Sequence, residues 1–362
     1  MTTSVLLYTM RCNIACAHCS VNSGPDRSGA MDHDTALALV DGLAAQPQIR
    51  FIDISGGEPM LHPDEIEAII RRVKSHGKGI RLTSNGFWAS TPKRAEAMLR
   101  RLKQAGLDSV GLSLDKWHLE FLPANLARHF IDACRLVGFP PLVSCVLRGS
   151  AAEAASGNGA PLELRSLLDY YGLAGERATD LNSWGDHMES LDEVARTDFL
   201  KETIAERLLV NWQFLTGEGR AAARLRSEIA STPLSETPMT PCPVAGRMPT
   251  IDHAGRLFPC CAPWVNYTNR AYAKVTGATV GRAVAEMEQR PALRVIRQWG
   301  PKRLMLELLA RGHSFPQQNS GICNLCGHML KSVDLDTLDA AAEAVLGAEA
   351  VSSQTPPTLQ CN

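Results

Sequence analysis

Two rhythms of apolar residues alternate along this chain. Short runs of apolar and β-branched residues recur at Val5 to Thr9, Phe51 to Ser55, Ile80 to Thr83, Val110 to Leu114, Leu142 to Leu147 and Leu208 to Leu215, and each reads as a strand. Between them apolar positions return every three or four residues, as a helix with one buried face requires. Leu37, Val40 and Leu43 form such a stripe within about Asp32 to Ala45, and Ile66, Ile69, Ile70 and Val73 form another behind the opening Pro63-Asp64-Glu65. Helices are also predicted over Pro92 to Ala105 and about Pro123 to Val137. Repetition of strand then helix specifies parallel strands joined by right-handed crossovers. The predicted fold class is therefore α/β, a (β/α)6 partial barrel with its active groups at the carboxyl ends of the strands. After the fifth strand the pattern loosens: Gly149 to Ala160 reads as a loop, and Leu162 to Tyr171 and Asp192 to Arg207 read as helices. Asn182 to His187 sit where a substrate mouth is expected, without an assigned role.

At 362 residues, 45% hydrophobic and with a net charge of -1, the chain can bury one large core and a smaller one. Its neutral balance argues against a dedicated nucleic-acid or membrane-surface binder. No run is long and apolar enough to cross a bilayer and no secretory signal opens the chain, so a cytoplasmic location is expected. Eleven cysteines then point to metal or redox chemistry, because cytosolic thiols stay reduced.

Three of these cysteines stand in Arg11-Cys12-Asn13-Ile14-Ala15-Cys16-Ala17-His18-Cys19, a C-x3-C-x2-C loop directly after the first strand. Three such thiolates can hold three irons of a 4Fe-4S cluster and leave the fourth open for chemistry. The alternative is a zinc knuckle, but structural zinc closes four ligands, and the nearby candidates are His18, wedged between two of the cysteines, and His33. A second motif, Ile54-Ser55-Gly56-Gly57-Glu58-Pro59, ends a strand in paired glycines, where backbone approaches a ligand closely and a carboxylate can take an ammonium group.

The cysteine loop, followed about forty residues later by Gly-Gly-Glu-Pro in a β-α-β setting, resembles the radical S-adenosylmethionine superfamily. The resemblance implies a partial TIM barrel in which Cys12, Cys16 and Cys19 hold the cluster. It further implies that Gly56, Gly57, Glu58 and Pro59 form the turn that holds the amino group of S-adenosylmethionine, and that His18 borders the adenine. The implied reaction is reductive cleavage of that cofactor, with an electron from a flavodoxin or ferredoxin, to methionine and a 5'-deoxyadenosyl radical that takes hydrogen from a substrate. Ser84-Asn85-Gly86 resembles the family's Thr-Asn-Gly turn, although a tight turn needing Gly86 explains it equally well. Ser113 and Asp115 alternate onto one strand face; Ser113 is the expected contact to the cofactor carboxylate, and Asp115 and His118 are candidate acid-base groups, with helix capping as the alternative for His118. Arg148 is either a second contact to that carboxylate or a surface arginine, and Cys145 either a hydrogen-atom donor or a small buried hydrophobe. Gly217 and Gly219, in Gly217-Glu218-Gly219-Arg220-Ala221, resemble the Gly-Arg-Ala element that ends such barrels beside the adenine.

Further on, Cys242-x12-Gly255-x4-Cys260 and Cys323-x2-Cys326 make two thiol pairs that suit zinc or a second iron-sulfur cluster. Behind such a barrel they resemble the start of a SPASM domain. Because no cysteine follows Cys326 until Cys361, one auxiliary cluster, as in the shortened twitch variant, is expected. Cys261 competes with Cys260 as a ligand, and His328 is a remote alternative. The expected organisation is a catalytic barrel over residues 1–225, a linker over 226–241, a smaller C-terminal cysteine-rich iron-sulfur domain over 242–332, and a helix (Asp334 to Ala348) with a tail over 333–362.

Enzymes resembling this chain modify peptide or protein side chains by crosslinking, epimerisation or oxidation, or act on small molecules such as amino-sugars and antibiotic precursors. A peptide is the expected substrate and a small molecule the alternative. The first strand begins almost at the first residue, which leaves no room for an N-terminal leader-binding wing and weakens the peptide expectation. A non-catalytic zinc or iron-sulfur sensor would keep the cysteines without needing Gly56-Gly57-Glu58-Pro59.

Overall fold

The computed structural model describes residues 2–149, 162–181, 192–260, 264–267 and 270–354. Seven strands, β1 (Thr2–Thr9), β2 (Ile49–Gly56), β3 (Gly79–Ser84), β4 (Ser109–Ser113), β5 (Leu142–Leu147), β6 (Arg177–Asp180) and β7 (Arg207–Phe214), lie parallel in the order β1-β2-β3-β4-β5-β7-β6. Helices α1 (His33–Ala44), α2 (Pro63–Ser75), α3 (Pro92–Ala105) and α5 (Asn125–Val137) make the crossovers, with a short α4 (Lys116–Leu119) after β4. Their ends follow local chemistry. Asp32 caps α1 by accepting from Thr35 N–H (3.0 Å), proline opens α2 and α3, and the left-handed Gly106 and Gly138 stop α3 and α5. The stripe Ile66, Ile69, Ile70 and Val73 is fully buried.

The sheet curls. Leu7, Ser55, Thr83, Ser113, Val146 and Gln213, from six different strands, line one cavity, as inward-facing positions of a partial barrel do. The α/β class and the partial barrel expected from the strand-helix rhythm are what the chain adopts.

Two features lay outside that rhythm. Strand β6 is four residues long, half-exposed and carries no apolar run, so the sheet edge it covers left no signal in the sequence. The C-terminal region joins the same sheet on its opposite edge: Thr250–Asp252 pairs parallel with β1, and Arg256–Phe258 and Ala273–Lys274 follow antiparallel. Strands of two or three residues are too short to show alternation. Segment 226–241 is also tied in, because Thr232–Pro233 pairs with Gln318–Asn319. The helix expected over Asp334 to Ala348 runs from Leu335 to Gln354. Among the described residues no helix is long and apolar enough to cross a membrane. Cys261, Cys361 and the segment 182–187 lie outside the described residues.

Candidate active site

The loop leaving β1 folds back on itself. Bridges tie Thr9 to Ala30 and Arg11 to Gly24, Cys12 N–H donates to the Gly24 carbonyl (3.1 Å), and Ser23 N–H donates to Cys19 Sγ (3.3 Å). Cys12, Cys16 and Cys19 all line the barrel cavity, whose volume is about 390 Å³. Burial, and then the charges of Glu58, Cys16 and Cys19, push Cys12 up to about 12.

The paired glycines act first on this loop. Gly56 has φ 135°, and a Cβ on Gly57 would stand 2.0 Å from the Arg11 carbonyl oxygen. The approach lets Gly57 N–H donate to the Thr9 carbonyl (2.6 Å) and Glu58 N–H to the Arg11 carbonyl (2.9 Å), fastening the end of β2 to the start of the cysteine loop. Glu58 itself turns inward. It is fully buried; its Oε1 accepts from Met60 N–H (3.0 Å) and the Ser84 hydroxyl (2.8 Å), and its Oε2 from Asn85 N–H (2.7 Å). The carboxylate expected to meet an ammonium group is therefore engaged by the chain's own donors, and Gly56 and Gly57 face the cavity in its place. Burial pushes Glu58 up to about 7 against the pull of those hydrogen bonds. Pro59 is buried at the head of the single turn Pro59–Leu61.

Ser84 and Asn85 both line the cavity. The Ser84 hydroxyl also accepts from Gly86 N–H and Trp88 Nε1–H, each at 3.0 Å, which makes it a knot of the turn. Asn85 Nδ2 donates to Asn13 Oδ1 (2.9 Å) and lies 3.7 Å from Cys12 Sγ. Ser113, at the end of β4, also lines the cavity.

Just past β4, Asp115 gathers two imidazoles. Its Oδ1 caps α4 through Trp117 N–H (3.1 Å) and His118 N–H (3.2 Å) and meets His118 Nδ1 at 2.9 Å, while Oδ2 meets His18 Nε2 at 3.1 Å. The capping role and the placement of His118 at the cavity thus coexist. Trp117 stacks on His18 with ring centroids 4.8 Å apart, and Tyr171 donates its hydroxyl to the Asp115 carbonyl (3.0 Å). Burial opposes charge on both partners, but each charge more than offsets it for the other. Asp115 is held well below the usual carboxylate range and His118 well above the usual imidazole range. Direct hydrogen bonds join these three groups.

For Arg148 and Cys145 the structure takes the second of the two readings, away from the cavity. Arg148 is 53% exposed and pairs with Glu163 (2.7 Å), and Cys145 is buried in the apolar core. Arg220, whose Gly-Arg-Ala setting was its only sequence signal, instead grips the cysteine loop. Its Nη1 donates to the Cys16 carbonyl (2.6 Å), its Nη2 to the Ser23 carbonyl, and its backbone N–H to the Cys19 carbonyl (3.0 Å). Gly219, at φ 57°, lies where a Cβ would meet the Cys19 and Ser20 carbonyl oxygens at 2.4 Å; Gly217 donates its N–H to the Ser320 hydroxyl (2.8 Å).

Cys242, Cys260, Cys323 and Cys326, more than eighty positions apart end to end, converge on a second, apolar pocket of about 70 Å³. His328 does not line it. Burial, with the charges of Cys323, Cys242 and Glu218, holds Cys326 well above the ordinary thiol range. Cys323 and Met248 line both this pocket and the barrel cavity.

Residues 6–136 match the family model described as the radical SAM superfamily. The chain is 22% identical over 331 residues to the putative peptide biosynthesis protein YydG of Bacillus subtilis, covering 90% of each chain. It is 32% identical over 111 residues to the tungsten-containing aldehyde ferredoxin oxidoreductase cofactor-modifying protein of Pyrococcus furiosus, covering 30% of each. It is likewise 32% identical over 117 residues to the GTP 3',8-cyclase of Lactiplantibacillus plantarum, covering 30% of this chain and 32% of that one. Among solved structures, that of BtrN in complex with AdoMet and 2-DOIA aligns with 13% identity and a TM-score of 0.42, covering 84% of this chain and 89% of that one.

Proposed function

Because the chain belongs to the radical SAM superfamily and is an enzyme of that kind, we propose that it abstracts hydrogen from a peptide or protein side chain and so crosslinks, epimerises or oxidises it. The observation that carries the choice of a peptide is the sequence similarity to YydG, which extends over 90% of both chains, whereas that to the GTP 3',8-cyclase of Lactiplantibacillus plantarum covers 30% of this chain. Cys12, Cys16 and Cys19 would hold a 4Fe-4S cluster. Such a cluster with S-adenosylmethionine on its open iron supplies the radical that takes the hydrogen.

The chain's own groups bind and orient. Gly56 and Gly57 offer backbone to the methionine end of the cofactor, Ser113 and Asn85 offer polar side chains, and His18, braced by Trp117 and Asp115, gives the adenine a flat neighbour. His118, charged through its contact with Asp115, presents a proton at the cavity wall. Cys242, Cys260, Cys323 and Cys326 would hold an auxiliary cluster at the shared wall, in the manner of a twitch-like domain.

The test is anaerobic incubation of reconstituted protein with S-adenosylmethionine and a strong reductant, first alone, then with a library of short peptides or a set of amino-sugars. Formation of 5'-deoxyadenosine that requires Cys16, shown by Cys16→Ala, together with loss of two hydrogens from a peptide (crosslink or oxidation) or gain of one deuterium from D2O without other mass change (epimerisation), is the expected result. Turnover of an amino-sugar with no peptide modified would replace the peptide reading. Iron content of a Cys323→Ser, Cys326→Ser protein, expected to fall by about half, tests the auxiliary cluster.

A further inference from the structure

One short segment, Gly217 to Arg220 at the end of β7, touches both thiol sites. Its Arg220 end holds the N-terminal cysteine loop by the three carbonyls of Cys16, Cys19 and Ser23, and Gly219 packs backbone to backbone on Cys19 and Ser20. Its Gly217 end holds the helix Ile322–Ser332, which carries Cys323 and Cys326. Gly217 N–H donates to the Ser320 hydroxyl (2.8 Å), Asn324 Nδ2 donates to Glu218 Oε1 (2.9 Å), and Asn324 Oδ1 accepts from Ser320 N–H (3.1 Å). A Cβ on Gly327 would lie 2.7 Å from Glu218 Oε1, so the helix meets the carboxyl through a residue without a side chain. Glu218 and Asn324 are both buried. Four consecutive residues thus join two sets of metal-ligand candidates that are about three hundred positions apart in sequence, with hydrogen bonds at both ends.

We infer that Gly217-Glu218-Gly219-Arg220 is a brace that sets the N-terminal cysteine loop against the C-terminal thiol helix, with Arg220 and the Glu218–Asn324 pair as its positioning residues. A guanidinium is suited to the first task, because its fixed fork reaches two carbonyls of one loop at once, which an ammonium cannot do with the same geometry. The buried Glu218–Asn324 pair is suited to the second, because it orders a helix end from inside the protein, where water does not compete. Order at one thiol site then depends on contacts made at the other. The inference rests on the reading that both thiol sets hold iron-sulfur clusters.

The experiment uses full-length protein reconstituted with iron and sulfide, without substrate, in three forms: unchanged, Arg220→Lys and Asn324→Ala. The probe is S-adenosylmethionine itself, followed by the change it produces in the EPR spectrum of the reduced N-terminal cluster. Arg220→Lys should weaken its binding about tenfold, as loss of an outer contact to a metal-ligand loop typically does. Asn324→Ala, which touches no residue of that loop, should weaken it about fivefold through the brace. A second readout needs no metal: in apoprotein, alkylation of Cys16 and Cys19 should be faster in both variants than in the unchanged chain. Binding and alkylation unchanged in Asn324→Ala overturns the brace, even if Arg220→Lys is affected, since Arg220 would then be only a local clamp. A variant that fails to fold shows itself in circular dichroism, and Asn324→Ser, which keeps a small polar group there, takes its place in the same comparison. Absence of any cluster signal from the unchanged protein would instead strike the iron-sulfur reading, and the alkylation rates then decide the brace alone.

Discussion

Glu58 offers the sharpest check on the physical account of the site. Its carboxyl is fully buried and raised from 4.5 to about 7, because burial outweighs three hydrogen bonds from Met60, Asn85 and Ser84. In the unfolded chain it titrates near 4.5. Between these values the folded protein holds a proton that the unfolded chain has lost, so stability is greatest below the lower value and declines as pH rises towards the upper one. The span corresponds to a loss of about 3 kcal/mol at the order-of-magnitude level. Glu58→Gln removes the ionisation and keeps the shape, with its amide oxygen still able to accept from Met60 and Ser84. Its amide nitrogen, however, faces the Asn85 N–H, so the variant should be less stable than the native chain at pH 5 by about 1 to 2 kcal/mol. The informative quantity is the difference between the two proteins as pH changes. Urea melts of metal-free protein at pH 5 and pH 8 should show that difference shrinking or reversing, because the native chain alone bears the growing cost of a buried carboxylate. A difference that stays constant, or widens in favour of the native chain, would mean that the three donors already hold Glu58 ionised at low pH, and the burial argument would be wrong.

Asp115→Asn keeps the cap of α4 but removes the charge shared by His18 and His118; 5'-deoxyadenosine formation should fall by at least about tenfold while the melting temperature moves little. Gly57→Ala drives a Cβ to 2.0 Å from the Arg11 carbonyl and should cost about 3 kcal/mol or more in urea melts, whereas Gly175→Ala, with nothing within 4 Å, should stay within about 0.5 kcal/mol. Arg81→Met leaves the buried Asp53 without the guanidinium that bonds its Oδ2 at 3.0 and 2.5 Å, a loss of about 3 kcal/mol that Asp53→Leu in the same chain should largely restore; equal damage in single and double variants would refute the unpaired-charge explanation. Arg148→Ala removes a half-exposed pair with Glu163 and should change stability by no more than about 1 kcal/mol and leave the affinity for S-adenosylmethionine as it was, measured by equilibrium dialysis.

The barrel was legible because its signals are local and repeated. Each crossover helix announces itself by a stripe, a cap or a proline, and each of its strands by a dense apolar run, so the six central strands could be placed from residues alone. The edges were not legible: β6 and the strand Thr250–Asp252 are stabilised by the neighbour they pair with rather than by their own composition. At the site, spacing identified which residues meet but not which way they point. The Gly-Gly-Glu-Pro motif marked the right turn, yet only the fold shows its glycines admitting the Arg11 backbone and its glutamate facing inward to Ser84 and Asn85. Arg148 was left between two readings for a related reason, since a strand end supplies two exits and a glutamate on the following helix decided between them. Arg220 was invisible as a clamp because all of its acceptors are backbone carbonyls, which leave no trace in a sequence.

The composition of the barrel interior carries its own consequence for the substrate. A closed barrel of eight strands fills its centre with layers of branched apolar side chains. Here the inward positions include Asp53, Ser55, Arg81, Thr83, Ser113 and Gln213, and the Asp53–Arg81 pair stands inside the cavity wall. Buried polar groups are tolerable only when they are hydrogen-bonded, and Asp53 Oδ1 has no partner among the described residues. The polar lining of Ser55, Thr83, Ser113 and Gln213 suits a guest that brings hydrogen-bonding groups, and a purely hydrocarbon guest would add to its desolvation cost. A peptide segment, with a backbone N–H at every residue but proline, meets that requirement, in a cavity that Gly56, Gly57 and three thiols also line.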